Sequence, residues 1–453
     1  MRQTHMRHIS ILTALILFCS IPAFSQPASP LPELTSKRLL NDLQVTVAPT
    51  PYLGGNMAIG LLVRYGAYFD PAGKGGVANL LSRMFLKAAI DKTGKDIQDE
   101  LAYLEASIDV RCDWDGFRFI LRGPSAKFER SLLLLYQVVG EAQFSDADFA
   151  AAKQSVLADM QKSSDPRLRI HAQFERVLFS GTSHGRSLEG TPKSLAAITA
   201  GDVRYFYRKF ISPNQASLIV VGDVSAREVL QRASRIWGIW VRNEEIPFTF
   251  VQPRKPAGRQ MYIEDDPASP AAQFIMGNLF PPREDPAYAS ALLAAHIFQE
   301  RLTKVLPTSL LTVGNAGRRM ASPFYVQGQA AADQAMEQLL KIESVAEEMK
   351  LSAVTKEELD AARNKVIEEF SRELGSAEGL CGIMMEAELY RLGSNYASMY
   401  PDRLRRCDAD AVKQAAKDFL FPDGEVLLMR GPAAVLKPVL SPLGTLQLQI
   451  PEF

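Results

Sequence analysis

The apolar positions follow two rhythms, and their order along the chain already suggests a fold class. Residues 43–48 (LQVTVA) and 57–64 (MAIGLLVR) read as neighbouring strands separated by the turn-forming Pro49-Thr50-Pro51 segment. Helical recurrence, with apolar residues three and four apart, then takes over near 75–90, 95–106 and 126–140. Runs of strands followed by runs of helices favour α+β over a doubly wound parallel sheet.

The pattern also repeats. Residues 200–224 lie without gaps on 409–433, with Ala200/Ala409, Val203/Val412, Phe210/Phe419, Leu218/Leu427 and Gly222/Gly431 identical. Each copy reads as a helix ending before a proline turn, then an apolar strand (Leu218–Val221; Val426–Met429) closed by glycine. A second pair of helical segments, 151–160 and 361–370, matches at almost the same offset. Two matches in register predict two homologous α+β halves of domain size, 36–245 and 259–453. The proline-rich stretch 246–258 is the expected linker.

The first 25 residues carry a different signal. Arg2 and Arg7 precede the apolar run Ile9 to Ile21, and Pro22 then leads to Ala23-Phe24-Ser25. That run is too short to span a bilayer and suits a secretory signal, so the mature chain is expected to be exported, periplasmic or secreted, without a membrane span. Lysine plus arginine balance aspartate plus glutamate at 51 each, which disfavours binding a polyanion such as nucleic acid by bulk charge. Cys112, Cys381 and Cys407 are too few and too scattered for a disulfide framework, and at most one bridge is possible.

Three blocks carry a family resemblance: LLNDLQVTVAP at 39–49, VRYGAYFDPAGKGGVANLLSRMFLKA at 63–88, and SHGRSLEGTPKSLAAITAGDVRYFYRKFISPNQASLIVVGDV at 183–224. Together they resemble the pitrilysin/insulinase-type zinc metallopeptidases, which include mitochondrial processing peptidase. The resemblance implies two facing α+β halves that enclose a chamber for extended peptides, and a His-x-x-Glu-His helix holding catalytic zinc. Those motif positions fall on Asn79, Ser82 and Arg83, and the distant carboxylate ligand falls on Asp159. Both histidines are absent, and serine stands in place of the general base. Arg83 brings a permanent positive charge, worth about 4 kcal/mol of repulsion at about 4 Å and an effective dielectric of about 20. An Arg83–Asp159 ion pair in place of a metal is therefore expected, with no catalytic, cofactor or metal site assigned.

Elsewhere the sequence offers little chemistry. Past the first 25 residues the histidines are His171, His184 and His296, and no two have the spacing of a zincin pair. The resemblance implies a substrate-clamping arginine and tyrosine in the second half. Arg301-Leu302 and Leu306 begin that pattern, but Pro307 takes the next arginine position, and the tyrosine falls near Leu311 or Thr312. Gly181-Thr182-Ser183-His184-Gly185 fits a nucleophile-elbow pattern without the strand that should precede it. Asp113-Trp114-Asp115-Gly116 reads as a turn, Gly73-Lys74-Gly75-Gly76 as an ordinary loop, and Glu368 and Glu369 as helix neighbours pointing apart.

The expected function is an exported, non-catalytic insulinase/pitrilysin-family protein. It would bind extended peptides, or partner a zinc-bearing homologue as a heterodimer or itself as a self-associating subunit. The alternatives are a divergent active zinc metalloendopeptidase and a purely structural subunit.

Overall fold

The computed structural model describes residues 31–162, 165–244, 246, 249–269, 271–421 and 424–448, so the signal segment 1–25 lies outside the described residues. The strands are β1 (Thr35–Arg38), β2 (Gln44–Pro49), β3 (Asn56–Val63), the short pair β4 (Ala88–Ala89) and β5 (Lys92–Thr93), β6 (Ser107–Cys112), β7 (Phe117–Pro124) and β8 (Ala216–Gly222) in the first half. The second half has β9 (Gly258–Asp265), β10 (Ala272–Phe280), β11 (Thr312–Asn315), β12 (Ser322–Ala330), β13 (Gly424–Gly431) and β14 (Leu446–Gln447).

Helices of the first half are α1 (Val77–Met84), α2 (Gly94–Leu104), α3 (Phe128–Gly140), α4 (Asp146–Lys162), α5 (Pro166–Leu178), α6 (Pro192–Ala197), α7 (Ala200–Phe210) and α8 (Ala226–Ile236). Those of the second are α9 (Tyr288–Val305), α10 (Ala335–Leu351), α11 (Lys356–Leu374), α12 (Ala377–Leu389), α13 (Tyr396–Arg406), α14 (Ala409–Phe419) and α15 (Ala433–Leu440). Among the described residues no helix is long and apolar enough to cross a membrane.

The mixed α+β architecture is built on two six-stranded sheets, ordered β1-β2-β8-β3-β7-β6 and β11-β12-β10-β13-β9-β14. One expectation needs correcting here. The strands read from 43–48 and 57–64 are not neighbours, because β8 lies between them, parallel to β2 (Val45↔Leu218) and antiparallel to β3 (Leu61↔Leu218). In the second sheet β13 likewise separates β9 from β10, parallel to the first and antiparallel to the second. A central strand drawn from far along the chain satisfies both neighbours' backbone groups, a pairing that local periodicity cannot encode.

Both faces of each sheet are covered, which accounts for the unbroken apolar run of β3. Ile59, Leu61 and Val63 face the core of the first half, whereas Ala58 and Leu62 belong to the core shared with the second. Helices cross the linker to provide this cover. α12, from the second half, packs on β3 and β8, and α5, from the first, packs on β10 and β13. Gly60 makes the first crossing possible, since a Cβ there would stand 2.5 Å from Cys381 Sγ and 2.9 Å from Met385 Sδ. From Leu31 onward the chain is one compact unit, so the division at 246–258 separates sheets rather than independent bodies.

The linker is itself tied down: the Tyr65 hydroxyl donates to the Ile246 carbonyl at 2.6 Å, and Val251 N–H donates to the Tyr68 hydroxyl at 2.6 Å. All three described cysteines are free thiols. The threonine-rich punctuation of 190–202 consists of helix starts. Thr191 and Thr199 cap α6 and α7 through reciprocal boxes with Ser194 and Asp202, and Pro192 occupies the first turn of α6.

Candidate functional site

α1 is held at its N-terminus by Asp70, whose buried carboxylate accepts from Gly76 N–H at 2.7 Å and Ala78 N–H at 2.9 Å. Burial pushes the Asp70 carboxyl up to about 7, against the pull of those backbone bonds and of Arg186. Val77, Leu80, Leu81 and Met84 go into the core, leaving Asn79, Ser82 and Arg83 on one half-buried polar face. α4 crosses this face. Arg83 Nη1 donates to Asp159 Oδ2 at 2.6 Å and reaches Ser155 Oγ at 3.3 Å. Ser82 Oγ turns back to donate to the Asn79 carbonyl at 2.7 Å, which takes its hydroxyl out of any role as a base.

The sequence-predicted site residues are therefore brought together, with Arg83 and Asp159 as an ion pair. That donor set does not fit zinc: an amide and a hydroxyl are weak ligands, and the one carboxylate already holds a fixed cation. Among the described residues no group of three or more histidines, cysteines, aspartates or glutamates is arranged to hold a metal ion. Beside α1 runs β6, at the end of its sheet and paired on one side with β7. Its outer edge presents unpaired backbone groups next to the Asn79–Arg83 face, the kind of edge to which an extended peptide can add.

A second polar cluster was not anticipated. The Asp113–Gly116 turn joins β6 to β7, with Asp113 Oδ1 accepting from Asp115 N–H (2.8 Å) and Gly116 N–H (3.0 Å), and Asp113 Oδ2 pairing with Arg118. This conformation aims Trp114 and Asp115 at the second half. There the Arg318 guanidinium lies 3.9 Å from the Trp114 ring centre, and Arg319 N–H donates to Asp115 Oδ2 at 3.0 Å. Arg318 also donates to Glu175 at 2.6 Å, with His171 3.6 Å from the same oxygen. Burial raises the Glu175 carboxyl, but Arg318 and His171 outweigh it and leave the group below its ordinary range.

His184 is fully buried against Tyr68, Phe179 and Trp114, and neither ring nitrogen has a hydrogen-bond partner among the described residues. Burial, reinforced by the Arg318 charge, pushes its imidazole down to about 3. Ser183 opens a single 3₁₀ turn after helix α5 and does not form the strand-to-helix elbow of a nucleophilic serine.

The clamp candidates of the second half do not gather at a site. Arg301 is taken up by Glu358 in a two-bond pair at 2.9 and 2.8 Å, Leu306 ends α9, and Leu311 and Thr312 stand where β11 begins. Glu368 and Glu369 are both exposed on α11. Arg318 and Arg319, which do reach the first half, come from the loop after β11. Their pairing with Asp115 across 204 positions left no local signal beyond charged residues beside glycine.

With this geometry in view, the sequence model of insulinase (peptidase family M16) matches residues 54–192, and that of the peptidase M16 inactive domain matches residues 197–366. The chain belongs to the insulinase family. Similar family members include an uncharacterized zinc protease of Rickettsia bellii, 22% identical over 51% of this chain and 55% of that protein. Zinc protease PqqE of Helicobacter pylori is 21% identical over 58% and 61%. The beta subunit of bovine mitochondrial-processing peptidase is 18% identical over 54% and 50%. The chain thus spans about half to three-fifths of the length of these curated relatives.

Two solved structures share the fold over nearly the whole chain. A Helicobacter pylori protease superposes with a TM-score of 0.82 at 17% identity, covering 89% of this chain and 100% of that one. The peptidase M16 inactive domain from Pseudomonas fluorescens superposes with 0.81 at 21%, covering 88% and 98%. The two-sheet arrangement is accordingly an insulinase-family fold.

Proposed function

We propose that this insulinase-family chain is an exported, non-catalytic member that binds extended peptides along the β6 edge and serves as partner to a zinc-bearing homologue. The observation that carries the reading is the 2.6 Å Arg83–Asp159 pair on the polar face of α1, where the family places its metal. It puts a fixed guanidinium where a dication would sit and leaves no general base beside the peptide edge. The match to the family's inactive-domain model supports it, as does a relative named as one subunit of a processing peptidase. Export rests on the arginine-then-apolar pattern of the first 25 residues. The common strand order of the two sheets, with the matched segments 200–224 and 409–433, supports one duplicated unit.

The relatives named zinc proteases favour one other reading, a divergent metalloendopeptidase. Metal analysis of the purified chain with a quenched fluorescent peptide assay separates the two. The partner reading expects no stoichiometric zinc and no cleavage by the chain alone. It also expects co-purification with a homologue whose activity drops when this chain is left out. Stoichiometric zinc with chelator-sensitive cleavage overturns it.

A further inference from the structure

Away from α1 and α4, a cavity of about 620 Å³ opens between the β1-β2-β8 side of the first sheet and the end of α12. Its charge is one-sided: Arg64, Arg319 and Arg391 line it, against the single carboxylate of Glu388. That carboxylate is already engaged, by Arg64 at 3.0 Å and the Ser217 hydroxyl at 3.1 Å. Burial lowers the Arg319 guanidinium below its ordinary value, and Arg391 and Arg64 add repulsion, partly countered by Asp115 and Tyr390. Arg391 forms no ion pair among the described residues. Three guanidinium groups held at one cavity leave a surplus of positive charge that an incoming anion would relieve.

The backbone supplies an independent sign. Arg391 follows the last turn of α12 with φ of 54°, in the left-handed region, and Leu392 N–H closes the turn on the Ala387 carbonyl at 2.9 Å. Glycine is the usual residue at this position because it carries no Cβ penalty. Here the strained place holds an arginine whose side chain lines the cavity.

The cavity continues into a second one of about 350 Å³, with which it shares Leu34, Ser36, Met384, Ala387 and Ser394. This neighbour is walled mainly by Leu31, Pro32, Leu380 and Ile383. Gln44, Gln215 and Thr46 line the cationic part, groups suited to amides rather than to an acyl chain.

We propose that these joined cavities receive the C-terminus of an apolar peptide, its carboxylate held by the arginines around Arg391 and its last side chains in the Leu380–Ile383 pocket. The proposal deepens the peptide-binding part of the reading above and rests on it, but concerns a different surface from the β6 edge.

The test is calorimetric titration of the purified chain with an N-acetylated tetrapeptide ending in two leucines, as free acid and as C-terminal amide, with octanoate as competitor. The free acid is expected to bind at least about tenfold tighter than the amide, the scale of one charge-assisted contact. Arg391→Gly, which keeps the turn and removes the charge, is expected to abolish most of that preference, and octanoate is expected not to compete. Equal binding of acid and amide overturns the carboxylate site while leaving peptide binding at β6 standing. An undiminished preference in Arg391→Gly overturns the role of Arg391, and competition by octanoate at peptide-like affinity overturns the peptide assignment.

Discussion

His184 makes the stability of this protein depend on acidity in a way that one substitution should erase. Its imidazole is buried among Tyr68, Phe179 and Trp114 with the Arg318 guanidinium nearby, and its folded value of about 3 lies far below the ordinary 6.5. The unfolded chain therefore binds a proton that the folded chain refuses. The contribution to stability is complete above about pH 6.5 and is lost as pH falls toward about 3. Between about pH 7.5 and about pH 5 the linkage amounts to roughly 2 kcal/mol. His184→Phe keeps an aromatic ring in the same box and removes the titration. Its larger ring and the loss of two unpaired nitrogens shift the absolute stability in opposite directions, so the informative quantity is the change between the two pH values. Urea unfolding followed by tryptophan fluorescence should show the parent chain losing about 2 kcal/mol more than the variant on acidification. Parallel losses in the two proteins would refute the claim that His184 is held neutral.

Three further outcomes are expected. Gly60→Ala drives a methyl toward Cys381 and Met385 and should cost about 1–3 kcal/mol in the same unfolding assay, with Cys381→Ala in the same chain recovering part of it. Arg391→Gly removes a left-handed non-glycine residue and should stabilise the fold by about 1 kcal/mol, read as a raised Tm; a lowered Tm would show that the turn needs the arginine side chain. Arg83→Ala should cost under about 1 kcal/mol, because the paired side chains of Arg83 and Asp159 are 31% and 52% exposed. By contrast, Asn79→His, Ser82→Glu, Arg83→His and Asp159→Glu together should let the chain retain one zinc ion by elemental analysis. A folded quadruple variant without zinc would count against the geometry described for α1 and α4.

Helix periodicity, capping threonines and glycine–proline punctuation act between residues a few positions apart, so α1, α6, α7 and the paired segments around 200–224 and 409–433 were legible from the chain alone. The chemistry of the α1 face was legible for the same reason. Asn79, Ser82 and Arg83 share one helix face by spacing, and an arginine opposite an aspartate is a plausible pair before any coordinates exist.

What the residues could not announce is whatever depends on distant segments meeting: β8 entering between β2 and β3, α5 and α12 trading sheets, Trp114 beneath Arg318, and Arg64, Arg319 and Arg391 converging on one cavity. Sheet pairing, close packing and the clustering of like charges are decided by the whole fold, because their energy depends on which backbone edges and apolar faces remain to be covered once every other element has been placed.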